Sequence, residues 1–444
     1  MTVKEKSKSI YSKFIKKKIK TLLKTSFSSF LYSRLFYLSL RRLSKSKNDG
    51  KNIIVFNGHR CVEDIEVYLS HQKITLFSAP MYLLQIVEAI FFDKSIPYSL
   101  YFKTKDKETI KARENKRNFI AKTISYLKRK GIDAIISPSI QYRLDQDWAF
   151  ASNLQNLNFI CVHKEFTVMD KQVYKHQIQK FKEWNLKYLG TKVFVTNKLV
   201  KKLFIETKFC EKSKINVIGS LRMDRILPVK KKKVELNNKI TLFSFGHLSG
   251  GLGFDMVNQR EIYKYKRHQY FSNDNFGFVK LFQNVHYTFG QCAIDNPQKN
   301  FIIKLKNIND NGWKNEVIKI IETKTKVSFD KIVNLKFSSD QAPSLINSSD
   351  IIIGFNSTVL LESIINNKKT IIPVFDEAIN EYKDNVYYTK YFSLFKIANS
   401  KNQLKDLISH GFDFKFNKMK QDKMIKEFLG FSDGKTLERF FSYL

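Results

Sequence analysis

Glycine and proline are scarce in this 444-residue chain, at 16 and 7. That scarcity excludes collagen-like and linker-rich low-complexity architectures. The four cysteines, Cys61, Cys161, Cys210 and Cys292, lie far apart. They form no CxxC pair and no Cys/His ligand spacing, so neither a disulfide framework nor a zinc site is expected. No apolar run reaches the roughly 18 residues of a transmembrane helix. The basic start is followed by no apolar core and no A-x-A cleavage site, so an intracellular protein is expected. Acids are few as well, 41 against 78 Lys+Arg, which gives a formal charge of +37.

Apolar residues make up 43% of the chain, with 39 Phe, which excludes a disordered tail protein. The length suits two domains of ordinary size. Of the 78 cations 65 are Lys and 13 are Arg. Asn, Ile and Phe are abundant too, a skew of the kind an AT-rich coding bias produces. Residues that such a bias disfavours carry information where they cluster.

Residues 1–47 hold 14 Lys/Arg and one acid, Glu5, a net +13. Tyr11, Phe14, Ile15, Ile19, Leu22, Leu23, Phe27, Phe30, Leu31, Leu35 and Leu38 recur at spacings of three and four. This is one apolar helical stripe, with Lys13, Lys16, Lys17, Lys20 and Lys24 mostly off it. A cationic amphipathic helix lies in a bilayer interface with its lysines on anionic headgroups. The alternative is packing on the protein's own body. Nucleic acid is not an expected partner, because Arg is sparse and the stripe has no role on DNA.

Residues 48–228 read as a first α/β domain. Asn52–Asn57, Ile74–Phe77, Ala134–Ser137, Phe159–Val162, Val193–Thr196 and Asn216–Ile218 are short β-branched strands, and residues 107–130 form a charged helix. In parallel sheets ligands sit at the carboxyl ends of strands. Asn57–Arg60, Ser137–Ser139 and His163–Glu165 lie there. A His and an acid just past a strand end supply a general base, so His163 and Glu165 are the candidate catalytic residues. Arg222 and Arg225 frame Asp224 in Gly219–Arg225, two of only 13 arginines within four residues. An Arg fork suits a phosphate, and an inter-domain Arg–Asp bridge is the alternative for Arg222 and Asp224.

After a polar linker at Pro228 and Lys230–Lys233, residues 229–420 read as a second α/β domain. Strand Ile240–Phe245 runs into Gly246-His247-Leu248-Ser249-Gly250-Gly251-Leu252-Gly253, which holds a quarter of the glycines. Gly246, Gly250 and Gly251 let backbone N–H groups approach a diphosphate, with His247 and Ser249 beside them. A plain flexible turn is the alternative. Strand Phe301–Leu305 delivers Lys304 and Lys306 on one face. Ile351–Ile353 is a buried strand, Gly354 turns sharply, and Asn356 or Ser357 caps a helix to about Asn367. The free N–H groups there form an anion site, with Ser357 and Thr358 adding hydroxyl donors. Glu362 lies one turn deeper on the Thr358 face, placed to accept both hydroxyls of a ribose.

These segments resemble the GT-B glycosyltransferase superfamily, and within it the bacterial surface-polysaccharide branch. That branch includes capsule Kdo transferases and CDP-glycerol glycerophosphotransferases, and UDP-N-acetylglucosamine 2-epimerases share the fold. The likeness is carried by the His163-Lys164-Glu165 strand end, V-I-G-S-L-R-M-D-R (217–225), A-P-S-L-I-N-S-S-D-I-I-I-G-F-N-S-T-V-L-L-E (342–362) and F-S-D-G-K-T-L-E-R-F (431–440). Leu221 departs from it where relatives often have Pro. Segment 254–275 departs by its unusual length.

The resemblance implies two Rossmann-like domains facing across a cleft, with residues 421–444 as a helix crossing back to the first. It implies a metal-independent transferase that needs no cofactor. A nucleotide-activated sugar donor and a glycan or lipid-linked acceptor are its expected partners. Ser357 and Thr358 would hold the donor diphosphate, Glu362 the ribose, and His247 with the nearby glycines the phosphate. Together with the basic segment, this gives a cytoplasmic protein peripheral on the inner face of the cell membrane. The rival readings are a GT-B epimerase acting on a free nucleotide sugar, and a non-enzymatic membrane or nucleic-acid binding protein.

Overall fold

A computed structural model describes the chain except for residues 1–27, 47–49, 59–61, 70–72, 93–95, 97, 141–142, 166, 169–170, 228–237, 250–276 and 307–309. It divides into two compact units. The first holds Met1–Glu165, Lys180–Arg225 and Lys435–Leu444, and the second holds Phe166–Gln179 and Ile226–Gly434.

Seven strands form the sheet of the first unit. They are β1 (Arg41–Arg42), β2 (Lys51–Val55), β3 (Ile74–Ser78), β4 (Ala134–Ser137), β5 (Asn158–His163), β6 (Lys192–Val195) and β7 (Ile215–Val217). Their spatial order is β1-β3-β2-β4-β5-β6-β7. Only β1 is antiparallel, pairing with the edge of β3. All four β4 residues are buried, the mark of a parallel strand covered on both faces. The order reverses between β2 and β4, so their carboxyl ends bound a crevice.

The helix Lys107–Arg129 begins at Asp106, whose carboxylate accepts the Thr109 amide at 2.8 Å. It buries Phe119, Ile120, Ile124 and Leu127. Inside the same core Trp148 stacks on Phe36 at 5.0 Å and meets Phe56 edge-on at 5.3 Å. Lys116 is also buried, against the carboxylates of Glu88 and Asp147, and Arg117 Nε reaches Asp147 at 2.8 Å. Burial alone pushes the Asp147 carboxyl up, but Lys116 and Arg117 outweigh it and hold it below its ordinary value. Two cations against two acids keep this network balanced, so removing one member leaves an uncompensated buried charge.

The basic segment is described only from Ser28 onward, and its residues 1–27 lie outside the described residues. Ser28–Leu38 is a helix, but its buried face is Tyr32, Ser33 and Phe36. Tyr32 OH donates to the Leu83 carbonyl at 3.0 Å, and Ser33 Oγ meets Thr123 Oγ1 at 3.0 Å. The face that packs on the core is thus not the predicted stripe, of which only Leu35 is partly buried against it. Phe30, Leu31 and Leu38 of that stripe stay exposed.

The closing helix Thr436–Ser442 belongs to the first unit. Its Phe440 is fully buried, 5.1 Å from the Tyr68 ring and 5.5 Å from that of Phe194. Asp224 accepts the Leu437 amide at 3.0 Å, and Arg439 donates to the Ile218 carbonyl at 3.3 Å. The preceding helix, Lys418–Leu429, stays with the second unit, where Gln421 donates to the Ile364 carbonyl at 2.5 Å.

The second unit carries β8 (Lys239–Phe243), β9 (Asn300–Lys304), β10 (Leu335–Phe337), β11 (Ile351–Gly354), β12 (Lys369–Pro373) and β13 (Lys396–Ala398). All pair in parallel, in the order β10-β9-β8-β11-β12-β13. This is the doubly wound order of a Rossmann sheet, with its reversal between β8 and β11. Both units are thus Rossmann-like, the expected fold class. Edge strands β10 and β13 are not foreseen from the sequence, because neither holds adjacent β-branched residues such as Val217-Ile218.

The packing of the first described helix is open to a direct check. Phe36→Ala should cost about 3–5 kcal/mol of unfolding free energy, as for a buried aromatic. Leu38→Ala, on the solvent side, should cost about 0.5 kcal/mol or less. Urea melts read both, and a small cost for Phe36→Ala would take the helix off the core.

Candidate functional site

In the second unit the chain leaves β8 at Phe243 and β11 at Gly354, which are register partners. A ligand at the reversal of strand order meets both exits. A Cβ on Gly354 would stand 3.2 Å from the Leu360 side chain, so the helix after β11 returns close to the strand. Asn356 then adopts φ +46°, a left-handed conformation that Asn tolerates better than most residues. Its side chain binds three ways. Nδ2 donates to the Ser249 carbonyl at 3.2 Å and to the Asn385 carbonyl at 2.9 Å, while Oδ1 accepts the Tyr387 amide at 2.8 Å. One amide thus joins the exits of β8 and β11 to a third loop.

Ser357 is the N-cap of the helix Thr358–Ile365, its Oγ accepting the Val359 amide at 3.3 Å. The Tyr388 hydroxyl donates to the Ser357 carbonyl at 3.0 Å. That helix has no acid in its first turn, so its positive end is not neutralised by its own sequence. Ser357 and Thr358 are half-buried, and Glu362 is buried one turn below. The helix Val279–Asp295 differs. The Glu377 carboxylate accepts its Lys280 and Leu281 amides at 2.6 and 2.9 Å, so a protein carboxylate already occupies that helix start.

The β8 exit is pinned from below. Trp313 Nε1 donates to Ser244 Oγ at 3.1 Å, and Ser244 Oγ meets His286 Nε2 at 2.8 Å. His286 Nδ1 lies 2.7 Å from the Phe282 carbonyl, which can only accept. The imidazole is therefore protonated at Nδ1, and Ser244 donates to Nε2. Burial pushes its pKa down to about 4, against the Phe282 bond, which keeps it neutral.

His247 is buried, and its carbonyl accepts the Phe278 amide at 2.7 Å. Gly277 has φ +82°, and a Cβ there would stand 2.3 Å from the His247 oxygen, so only glycine fits. Gly246 and Ser249 lie in the described turn, the Ser249 amide donating to the Gly246 carbonyl at 3.0 Å. Gly250, Gly251 and the long segment 254–275 lie outside the described residues. Lys304 ends β9 and Lys306 follows, exposed, with buried Leu305 between them. Partial burial lowers the Lys304 ammonium pKa, and Asp340 opposes that. Two strand spacings, about 10 Å, separate β9 from β11.

The first unit has its own cluster at the β2/β4 reversal. Asn57, at φ +54°, donates from Nδ2 to both Asp145 oxygens at 3.2 and 3.1 Å, and Ser137 Oγ donates to Asp145 Oδ2 at 2.5 Å. Burial pushes the Asp145 carboxyl up to about 7, against those hydrogen bonds. Asp145 is not foreseen from the sequence, because its only signal is an acid in the first turn of the helix Arg143–Leu154. His59 and Arg60 lie outside the described residues.

His163 ends β5 fully buried, its ring 5.4 Å from that of Phe204, and burial pushes its pKa down to about 3. Glu165, two residues on, is half-buried in the loop. Asp224 holds the start of the closing helix through the Leu437 amide. Burial raises its carboxyl pKa, which hydrogen bonds from Thr436 and Leu437 partly offset. Arg222 is half-buried in the turn Leu221–Arg225. Among the described residues no group of three or more His, Cys, Asp or Glu is placed to hold a metal ion.

No protein-family model matches the chain, and no curated protein matches its sequence. Solved structures do. The UDP-GlcNAc 2-epimerase from Methanocaldococcus jannaschii is 12% identical, with a TM-score of 0.48, over 89% of this chain and 100% of that one. A glycosyltransferase from Rickettsia africae is 13% identical, at 0.44, over 89% and 98%. Anabaena HepE in complex with UDP and glucose is 12% identical, at 0.41, over 88% and 98%.

The Asp145 environment has a measurable consequence. With its pKa raised in the folded state, its stabilising contribution is complete below about pH 4 and lost as pH rises through about 7. His163 and His286, depressed to about 3 and about 4, act oppositely and lose stability as pH falls below about 6.5. In Asp145→Asn the first slope should vanish and the second remain. Urea unfolding between about pH 4.5 and 7.5 should show the variant gaining on the wild type as pH rises, with a slope of up to about 1.4 kcal/mol per pH unit for the one proton involved. A parallel pH dependence would show that Asp145 is ionised throughout.

Proposed function

We propose that this chain is a glycosyltransferase that moves a sugar, or a related nucleotide-activated unit, from a nucleotide donor to a surface glycan or lipid-linked acceptor. The observation that carries the reading is the β8/β11 reversal. There an acid-free helix start, the Ser357 and Thr358 hydroxyls and the turn Gly246–Ser249 lie at one strand edge. These groups suit a diphosphate, and buried Glu362 suits the ribose hydroxyls. Lys304 and Lys306 add positive charge from the neighbouring strand.

The first unit supplies the acceptor side. Glu165 takes the proton from the acceptor hydroxyl, and the freed oxygen attacks the anomeric carbon. The bond from that carbon to the diphosphate oxygen breaks, and the departing nucleoside diphosphate keeps the electron pair. Its added charge falls on the Ser357 helix start and Lys304. His163 is better suited to shaping the floor of the loop than to holding a proton. The net +13 over residues 1–47 supports a peripheral position on an anionic inner-membrane surface.

Two substitutions test the assignment. Glu362→Ala should weaken binding of a nucleotide sugar about 100-fold or more, the loss of two hydrogen bonds to a charged acceptor. Glu165→Gln should leave that affinity within about twofold and lower turnover by about 100-fold or more, as for a lost general base. Calorimetry against UDP-, GDP-, CMP- and CDP-linked sugars reads the first. Acceptor-dependent nucleotide release reads the second. Interconversion of the sugar without acceptor, followed by NMR, would instead establish an epimerase.

A further inference from the structure

Away from both strand edges the first unit holds a cavity that the proposed chemistry does not use. The helices Ser28–Leu38 and Lys107–Arg129, joined at Ser33 and Thr123, both line a volume of about 430 Å³. Ser29, Phe30, Lys122, Ser125, Tyr126 and Arg129 line most of it. Lys122 and Arg129 are exposed, and among the described residues neither makes an ion pair.

The charge around the cavity is of one sign. Residues 121–130 contain Lys122, Lys128, Arg129 and Lys130 and no acid. The helix Ser28–Leu38 has no acid either, and its Arg34 guanidinium lies 4.2 Å over the Phe30 ring. The 27 preceding residues carry nine lysines and one acid, so they hold no set of carboxylates to neutralise the cavity. Hydroxyls of Ser125 and Tyr126 add donors beside the two cations. Charge-assisted bonds from Lys and Arg together with hydroxyls are what a phosphate ester takes.

Lipid is favoured over free phosphate by what flanks the cavity. Phe30 and Leu31 are 47% and 38% exposed on the helix that forms its wall. Cations beside exposed Phe and Leu are the pattern of a surface resting in a headgroup layer. We propose that this cavity seats the phosphate headgroup of an anionic phospholipid, with Phe30 and Leu31 against its acyl chains. The proposal rests on the reading of a peripheral membrane protein and names its point of contact.

Vesicle flotation of the full chain tests it, with phosphatidylglycerol/phosphatidylcholine vesicles against pure phosphatidylcholine. Lys122→Gln/Arg129→Gln should weaken binding to the anionic vesicles about thirty-fold, at about 1 kcal/mol per cation and tenfold per 1.4 kcal/mol. Lys107→Gln/Lys111→Gln, an equal charge change on exposed lysines at the far end of the helix Lys107–Arg129, about 16 Å or more along its axis from Lys122, should weaken it less than threefold. Equal losses in the two double variants overturn the site and leave the membrane reading standing. Absence of wild-type binding overturns both. Thermal stabilisation by inorganic phosphate that the Lys122→Gln/Arg129→Gln variant loses, with vesicle binding equal in both proteins, overturns the lipid assignment in favour of free phosphate.

Discussion

The amide of Asn356 is the joint on which the second unit's site depends. The sheet ladder holds β8 and β11 in register as far as Phe243 and Gly354, but not the turn at Ser249, the turn after Gly354 or the loop at Asn385–Tyr387. One side chain with two donors and one acceptor meets all three, and it does so from a left-handed backbone position. Because the turn is fixed in this way, Ser357 is held at the helix cap and Thr358 opens the helix. An anion placed there meets groups already oriented, so little ordering opposes binding. Ser244, His286 and Trp313 perform the same service underneath, with a neutral imidazole as the central link.

The two strand edges are prepared for different chemistry. In the second unit the polar groups at the edge are donors, Lys304, the Ser357 and Thr358 hydroxyls and the helix amides, which favour negative charge. In the first unit the edge is acidic, with Glu165 in the loop and Asp145 buried at the reversal. Asp145 is held by the neutral side chains of Asn57 and Ser137, so burial prevails and its pKa rises. Asp147, two residues along the same helix, is also buried but faces Lys116 and Arg117, and its pKa falls. The same side chain at two places on one helix thus shifts in opposite directions because of its neighbours alone.

Much of this arrangement is legible in the chain. Strands β4 and β11 can be read almost to the residue, because short β-branched runs end at Pro138 and Gly354. The Ser357 cap follows from a hydroxyl placed just before an apolar helical run. What is not legible depends on distant partners. Asp145 and Trp313 are ordinary residues until Asn57 and Ser244 are brought to them. The basic N-terminal stripe shows only one face of its helix. Its spacing marks the helix Ser28–Leu38 and leaves Phe30, Leu31 and Leu38 exposed, but it gives no sign that Tyr32 and Phe36 on the other face pack inside. Arg222 and Asp224 stand out by rarity and local clustering. Asp224 anchors the closing helix, a partner more than two hundred residues away.

The charge of +37 divides in the same way. Most of it is spread thinly over the two units and balanced locally where it is buried, as at Lys116. The remainder is concentrated in the basic segment and around the cavity at Lys122 and Arg129. Lys304 and Lys306 add positive charge beside the β8/β11 edge, where the donor diphosphate is expected to bind. Amide hydrogen exchange with and without a nucleoside diphosphate sugar tests this most directly. Protection concentrated in Gly354–Leu360 and Gly246–Ser249 is the predicted result. Protection elsewhere, with those segments unchanged under saturating ligand, would contradict a donor site at that edge.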